Sequence, residues 1–172
     1  MTGAGTVPLR IGQGVDFHRF SDDPSRPLVL GGITVDGDGV RGLDGHSDAD
    51  ALAHALADAV LGAAQLGDLG VHFPSSDPVW AGADSMDLLA RTLVLAAAAG
   101  WVPVNADCTV VAQVPRLAHA TGQMADRLTE VTGAPVSVKA TTTDGLGAIG
   151  RAEGVGALAA VLLTAGPARG SA

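Results

Sequence analysis

The run His46-Ser47-Asp48-Ala49-Asp50-Ala51-Leu52-Ala53-His54-Ala55-Leu56-Ala57-Asp58-Ala59-Val60-Leu61-Gly62-Ala63-Ala64-Gln65-Leu66 decides how this chain folds. From Ser47 or Asp48 to about Leu66 the residues are strong helix formers, and Leu52, Leu56, Ala59 and Ala63 recur as an apolar stripe at helical spacing. Asp50, His54 and Asp58 recur every four residues on another face.

Before this helix the chain reads as β. Arg10 to Phe17 alternates loosely, and Leu28-Val29-Leu30-Gly31-Gly32-Ile33-Thr34-Val35 places two glycines between β-prone runs, the pattern of a tight hairpin. The Gly/Asp-rich run from Asp36 to Gly45 reads as an active-site loop. Beyond the helix, a second one is expected to start near Asp84 or Ser85 and to stop at Gly100 in a left-handed cap. A strand is expected over residues 105–114, broken at Pro115, then a helix over 117–132 stopped by Gly133 and a cleanly alternating strand over 136–141. Residues 154–164 suit a buried strand or a buried helix; Val155 and Val161-Leu162-Leu163 favour the strand. The sum is an α+β fold, mainly a four-stranded mixed sheet with helices packed on one face. Residues 1–9 read as a disordered lead-in, 10–165 as one domain and 166–172 as a flexible tail.

The composition narrows the possible partners. With 172 residues the chain suits one domain with a genuine core. A net charge of −8 leaves no basic patch for a nucleic-acid backbone, and the apolar runs are too short and too interrupted by Ala and Gly to span a bilayer. Residues 1–8 carry no apolar signal-peptide core, and the single cysteine, Cys108, reads as a small buried apolar residue, so a cytoplasmic location is expected. Aromatics make up 3% of residues and Tyr is absent, so the core must rest on Val, Leu and Ala; burial against further copies of the chain would compensate.

Asp16-Phe17-His18 puts a carboxylate and an imidazole on one face of a strand, because residues i and i+2 point the same way. With His54 from the helix they form a set suited to zinc with a fourth position left open, although Asp-x-His pairs also arise by chance and a helix His is often merely solvated. Ser47 and free N–H groups at the helix start can hold a phosphate, with His46 lending a proton or a hydrogen bond; an ordinary helix cap explains Ser47 equally well. Asp68 lies between glycines where a carboxylate can face a polyol or simply make a turn. Thr141, Thr142, Thr143 and Asp144 suit phosphate oxygens and magnesium, and Lys139 and Arg151 flank them among only 10 basic residues.

Taken together, Arg10 to His18, His46 to His54, Leu66-Gly67-Asp68-Leu69-Gly70 and Lys139-Ala140-Thr141-Thr142-Thr143-Asp144 resemble the 2-C-methyl-D-erythritol 2,4-cyclodiphosphate synthase family, in order, from about Arg10 to Leu163. The resemblance implies a lyase of the non-mevalonate isoprenoid pathway. Its substrate is a phosphorylated, cytidine-containing small molecule, whose own 2-phosphate attacks the β-phosphorus to release CMP. It implies zinc on Asp16, His18 and His54, and a second ion, magnesium or manganese, near Asp144. It implies that His46 and Thr142 stabilise the transition state. Asp16, His18 and Ser47 would lie at the phosphates, and Asp68, Leu69, Gly70, Phe73, Ser75 and Asp77 at the methylerythritol unit. Ala112, Pro115, Ala118, Thr141, Thr142, Thr143, Asp144 and Arg151 would line the cytidine and phosphate pocket. It further implies a homotrimer with sheets facing a central axis and active sites between subunits.

The match has departures. Asp144 stands where the family usually has Glu, and Ser75 where an acidic residue is common. Ala152 and Ala148 replace a Gly and an aromatic residue near Arg151, and Gln13 and Val15 replace a His and a Phe. Two other functions use the same residues: a zinc phosphohydrolase in which the open position activates water, and a nucleotide-binding module without turnover.

Overall fold

A computed structural model describes residues 8–37 and 40–166. In chain order the elements are β1 (Leu9–Arg19), β2 (Val29–Leu30), β3 (Ile33–Thr34), α1 (Ala51–Ala64), α2 (Leu69–His72), a 3-10 turn (Pro78–Trp80), α3 (Ser85–Ala98), β4 (Trp101–Val111), α4 (Thr121–Thr132), β5 (Val136–Thr141), α5 (Gly147–Gly150) and β6 (Gly154–Ala165). Four strands form one mixed sheet in the order β1-β6-β4-β5, with β4 and β5 parallel and the other neighbours antiparallel. Residues 154–165 are thus a strand, and one that lies at the centre of the sheet between β1 and β4.

The two faces of the sheet differ. Strand pairing aligns Gly12, Gly14, Asp16 and His18 of β1 with Val161, Ala159, Ala157 and Val155 of β6, and these in turn with Ala106, Cys108 and Val110 of β4. This face is covered, chiefly by α1. The opposite face leaves Leu9, Ile11, Val15 and Phe17 exposed.

Helix α1 sits against β1 because that strand has no side chains where the helix crosses. A Cβ placed on Gly12 would lie 1.9 Å from the Ala59 carbonyl oxygen, and one on Gly14 would lie 1.9 Å from that of Ala55. Four helical residues rise about 6.0 Å and two strand residues about 6.6 Å, so the Ala55/Ala59 pair and the Gly14/Gly12 pair stay in step along antiparallel directions. The next residues of the strand on that face are Asp16 and His18. Backbone contact therefore sets the height at which His54 meets them.

The helix is shorter at its start than its composition predicts. Residues 45–48 form bends, and α1 is capped by Asp50, whose carboxylate accepts from Leu52 N and Ala53 N, both at 3.0 Å. The same carboxylate accepts from Gly31 N at 2.9 Å and Gly32 N at 2.7 Å, tying the β2–β3 hairpin to the helix. Gly31 and Gly32 have φ of +60° and +73°, the left-handed pair of a tight hairpin. Asp50 therefore does not share a solvated face with His54 and Asp58; it is fully buried, and burial raises its carboxyl above the usual range against these four hydrogen bonds. Ser47 is not the cap of α1 but folds back toward His54. Nearly all of α1 is buried, since α3 covers the side away from the sheet.

Elsewhere the boundaries shift modestly. Helix α3 is capped by Asp84 and ends before Gly100 at φ +86°, as expected. Helix α4 begins at Thr121, four residues later than the apolar pattern suggests, because residues 117–120 turn first. Strand β4 begins at Trp101 and carries a bulge between Pro103 and Asn105. Leu9 already lies in β1, opposite Thr164; the rest of the expected lead-in at residues 1–7, residues 38–39 of the expected loop, and residues 167–172 of the expected tail lie outside the described residues. Cys108 is buried in β4 with its thiol pushed up to about 12 by burial, so it is an inert core residue. Among the described residues no helix is long and apolar enough to cross a membrane.

Candidate metal centre and active site

Asp16 and His18 extend from the end of β1 toward α1, and His54 comes down from the first turn of that helix. Asp16 Oδ2 lies 2.9 Å from His18 Nε2 and 3.1 Å from His54 Nδ1, and the two nitrogens lie 3.4 Å apart. Donors bound to one tetrahedral zinc at 2.0–2.1 Å are about 3.3 Å from each other, so the triangle already has the required size. Two imidazoles and one carboxylate are also the donor set that zinc accepts while keeping a position open.

The ring of His18 is oriented by its other nitrogen. Nδ1 lies 2.7 Å from the Asp44 carbonyl oxygen, which only accepts, so Nδ1 donates and the neutral ring turns the Nε2 lone pair into the triangle. Burial would raise the Asp16 carboxyl, but hydrogen bonds and positive charge from His18 and His54 together hold it well below the usual carboxylate range. Burial would lower His18, yet the Asp16 carboxylate and the Asp44 carbonyl raise it above its ordinary 6.5. Both shifts follow from the mutual pairing of the carboxylate and the imidazoles.

His18 and His54 open onto a hollow with His46, Ser47, Leu69, Gly70, Phe73 and Ser75 around it. Trp80 and Leu88 complete its wall, with Phe73 meeting Trp80 edge-on at 5.0 Å. His46 is exposed, with Nε2 3.3 Å from the Asp77 carbonyl oxygen. Asp68 and Asp77 do local structural work: Asp68 caps α2 by accepting from Val71 N, and Asp77 caps the 3-10 turn by accepting from Val79 N, each at 3.0 Å. Arg26, which the motifs did not point to, donates from one nitrogen to the carbonyls of Gly45 and Ser47 and so fixes the backbone on both sides of His46.

A second hollow lies between the β4–α4 connection and the end of β5, lined by Ala112, Pro115, Ala118, Thr141 and Thr142, with Arg116 as its cation. No residue lines both hollows. Thr142 donates to Asp144 Oδ1 at 3.1 Å, and Asp144 has φ +51° in an exposed turn. Thr143 turns away and donates to the Leu146 carbonyl at 2.7 Å. The two cations expected to flank the threonines are already paired, Arg151 with Glu153 at 2.6 Å and Lys139 with Asp107, so Arg116 is the basic residue that faces this hollow. Trp80 and Leu88 were not picked out by the motifs, because Leu88 reads as an ordinary apolar residue of a helix and Trp80 as part of a loop beyond Asp77.

The YgbB family model matches residues 9–164. The 2-C-methyl-D-erythritol 2,4-cyclodiphosphate synthase of Symbiobacterium thermophilum is 51% identical over 158 residues, covering 90% of this chain and 98% of the relative. Among solved structures, the bifunctional IspDF of Campylobacter jejuni superposes with a TM-score of 0.86 at 38% identity, over 93% of this chain and 43% of that one. A Plasmodium falciparum IspF in complex with CDP superposes with a TM-score of 0.78 at 28% identity, over 95% of this chain and 100% of that one.

Proposed function

The chain belongs to the YgbB family, that of the 2-C-methyl-D-erythritol 2,4-cyclodiphosphate synthases, and from that premise we propose that it cyclises 4-diphosphocytidyl-2-C-methyl-D-erythritol 2-phosphate in the non-mevalonate isoprenoid pathway. An oxygen of the 2-phosphate bonds to the β-phosphorus, the bond from that phosphorus to the bridging oxygen breaks, and CMP leaves with the oxygen. The observation that carries this reading is the ligand triangle of Asp16, His18 and His54 opening onto the hollow that also presents His46 and Ser47.

Asp16, His18 and His54 would hold zinc, which supplies Lewis acidity toward a diphosphate oxygen. The remaining work is positioning and charge compensation, which is most of what phosphoryl transfer asks of a protein. His46 and Thr142 approach the reacting phosphates as hydrogen-bond donors; Thr142 turns its hydroxyl from Asp144 to a phosphate oxygen when substrate enters. The Ser47 hydroxyl binds a phosphate oxygen beside them. Leu69, Gly70, Phe73 and Ser75, with Trp80, enclose the methylerythritol unit and exclude water, which favours cyclisation over hydrolysis. The carboxylates of Asp68 and Asp77 keep the α2 and 3-10 segments in place around it. Ala112, Pro115, Ala118 and Thr141, with Arg116, receive the cytidine and its phosphate, in line with the CDP complex of the Plasmodium relative. Magnesium or manganese would bind near Asp144, which as a lone carboxylate suits an ion held mainly by substrate phosphates; the Thr143 hydroxyl closes that turn on the Leu146 carbonyl, and Arg151 would reach the phosphate side of the pocket on leaving Glu153.

The separation of the two hollows supports a homotrimer in which each active site joins the zinc half of one subunit to the cytidine half of the next. The exposed apolar face of β1 would turn toward the trimer axis. The trimer should weigh about three times the 17.0 kDa of one chain. His54→Ala and Thr142→Ala chains, each expected to be inactive in CMP release, should recover about a quarter of parental activity when refolded together, because random mixing leaves about that fraction of shared sites intact. No recovery would place each site within one chain. A cytoplasmic location fits the expected pathway.

A further inference from the structure

Ser85 is 1% exposed, begins α3, and takes no part in the chemistry above; Asp84, not Ser85, caps that helix. Its hydroxyl oxygen lies 2.9 Å from His54 Nε2, the ring nitrogen that faces away from the ligand triangle. The hydroxyl also donates to Asp48 Oδ1, while Asp48 Oδ2 accepts from the Ser85 backbone N at 3.0 Å. Ser47 Oγ, 3.2 Å from the same ring nitrogen, has no carboxylate to receive its proton.

We propose that Asp48 and Ser85 form a relay that fixes His54 as a metal ligand, with Ser85 as a positioning residue; this rests on the zinc site proposed above. The Asp48 carboxylate accepts the hydrogen bond of the Ser85 hydroxyl, which turns the Ser85 lone pairs toward His54 and leaves Nε2 only one favourable state, N–H donor. Nδ1 is then the nitrogen without a proton, and it is the one that faces Asp16 and His18. For His54, the carboxylate–hydroxyl–imidazole chain does what the Asp44 carbonyl does for His18, and it also raises the basicity of the ligand. Because Asp48 N donates to the Ala83 carbonyl at 3.1 Å and Gly82 N to the His46 carbonyl at 2.8 Å, the relay spans a seam where the His46 loop is sewn to the start of α3.

Zinc affinity, measured by competition with a chromophoric chelator using zinc chloride alone, tests the relay. The parent should bind one zinc per chain; failure here would refute the zinc site itself and not the relay. Ser85→Ala keeps the backbone bond to Asp48 and removes only the hydroxyl, so it should lower zinc affinity about 10- to 100-fold, as loss of such outer partners does elsewhere. The metal-free variant should melt close to the metal-free parent. Ser47→Ala should cost less zinc affinity than Ser85→Ala. Should Ser85→Ala not fold, Asp48→Asn decides: it retains the shape and the backbone bond while removing the charge, and should weaken zinc binding severalfold. Parental zinc affinity in the folded Ser85→Ala chain, or in Asp48→Asn if that variant has to decide, would overturn the proposal.

Discussion

Replacing Gly14 with Ala should dismantle the metal centre from a position that touches no ligand. The added Cβ would meet the Ala55 carbonyl oxygen at 1.9 Å, whereas ordinary contact begins at 3.4 Å, so helix and strand must part by about 1.5 Å. Neither atom belongs to a flexible side chain that could turn aside. His54 moves with its neighbour Ala55 in the helix while Asp16 and His18 stay with the strand, so the triangle of Asp16, His18 and His54 opens by a comparable amount. Metal sites tolerate about 0.2 Å in ligand distance, so zinc binding should be essentially lost. The strain should exceed the usual range for overpacking, costing at least about 3 kcal/mol, which for a domain of this size lowers Tm by roughly 6–12 °C. Gly62→Ala is the control: a Cβ there meets nothing within 4 Å, and an exposed helical Gly→Ala should stabilise by up to about 1 kcal/mol. Chelator competition and thermal melting of both variants check the pair. A Gly14→Ala chain that melts with the parent and keeps its zinc affinity would refute backbone contact as the device that sets the site.

Asp50→Ala should destabilise by about 3 kcal/mol or more in urea unfolding, since four backbone N–H groups lose their acceptor; a loss under about 1 kcal/mol would mean that water replaces it. The metal-free protein should show the sign of the His18 shift. Its folded pKa lies above 6.5, so this stability is fully present below pH 6.5 and is lost as pH rises through the raised value. Zinc affinity should run the opposite way, rising over that same range as the proton leaves, and a pH-independent affinity there would contradict the assignment of His18 as a ligand. Asp144→Glu should reduce the magnesium needed for half-maximal CMP release, because the added methylene reaches the second ion directly; equal magnesium dependence in variant and parent would remove Asp144 from that role.

The local signals in the sequence located most elements because they are chemically explicit. Gly31-Gly32 between β-prone runs favours a left-handed turn, Gly133 after an apolar helical run favours a left-handed helix end, and residues 136–141 alternate without a break. The convergence of Asp16, His18 and His54 is legible because a strand and a helix have fixed periods. Long-range packing was not legible. Asp50 lies on the helical repeat of His54 and Asp58, yet its carboxylate is spent on a hairpin 18 and 19 residues away. Gly12 and Gly14 read as weak strand residues until the helix backbone is seen against them. Ser85 read as a cap, because nothing local reveals that its hydroxyl reaches a histidine 31 positions earlier. Arg151 and Glu153 lie two positions apart in sequence, but the sequence could not say whether that arginine would face Glu153 or the substrate.

Cyclisation, as opposed to hydrolysis, requires that the site join two phosphates of one molecule. Phosphorus NMR of the diphosphocytidyl methylerythritol phosphate reaction, with zinc and magnesium present and then with zinc chelated, measures this directly. Two coupled resonances of a cyclic diphosphate should appear one for one with CMP and vanish on chelation. Linear phosphate products, or no cyclic product under any metal, would contradict cyclisation.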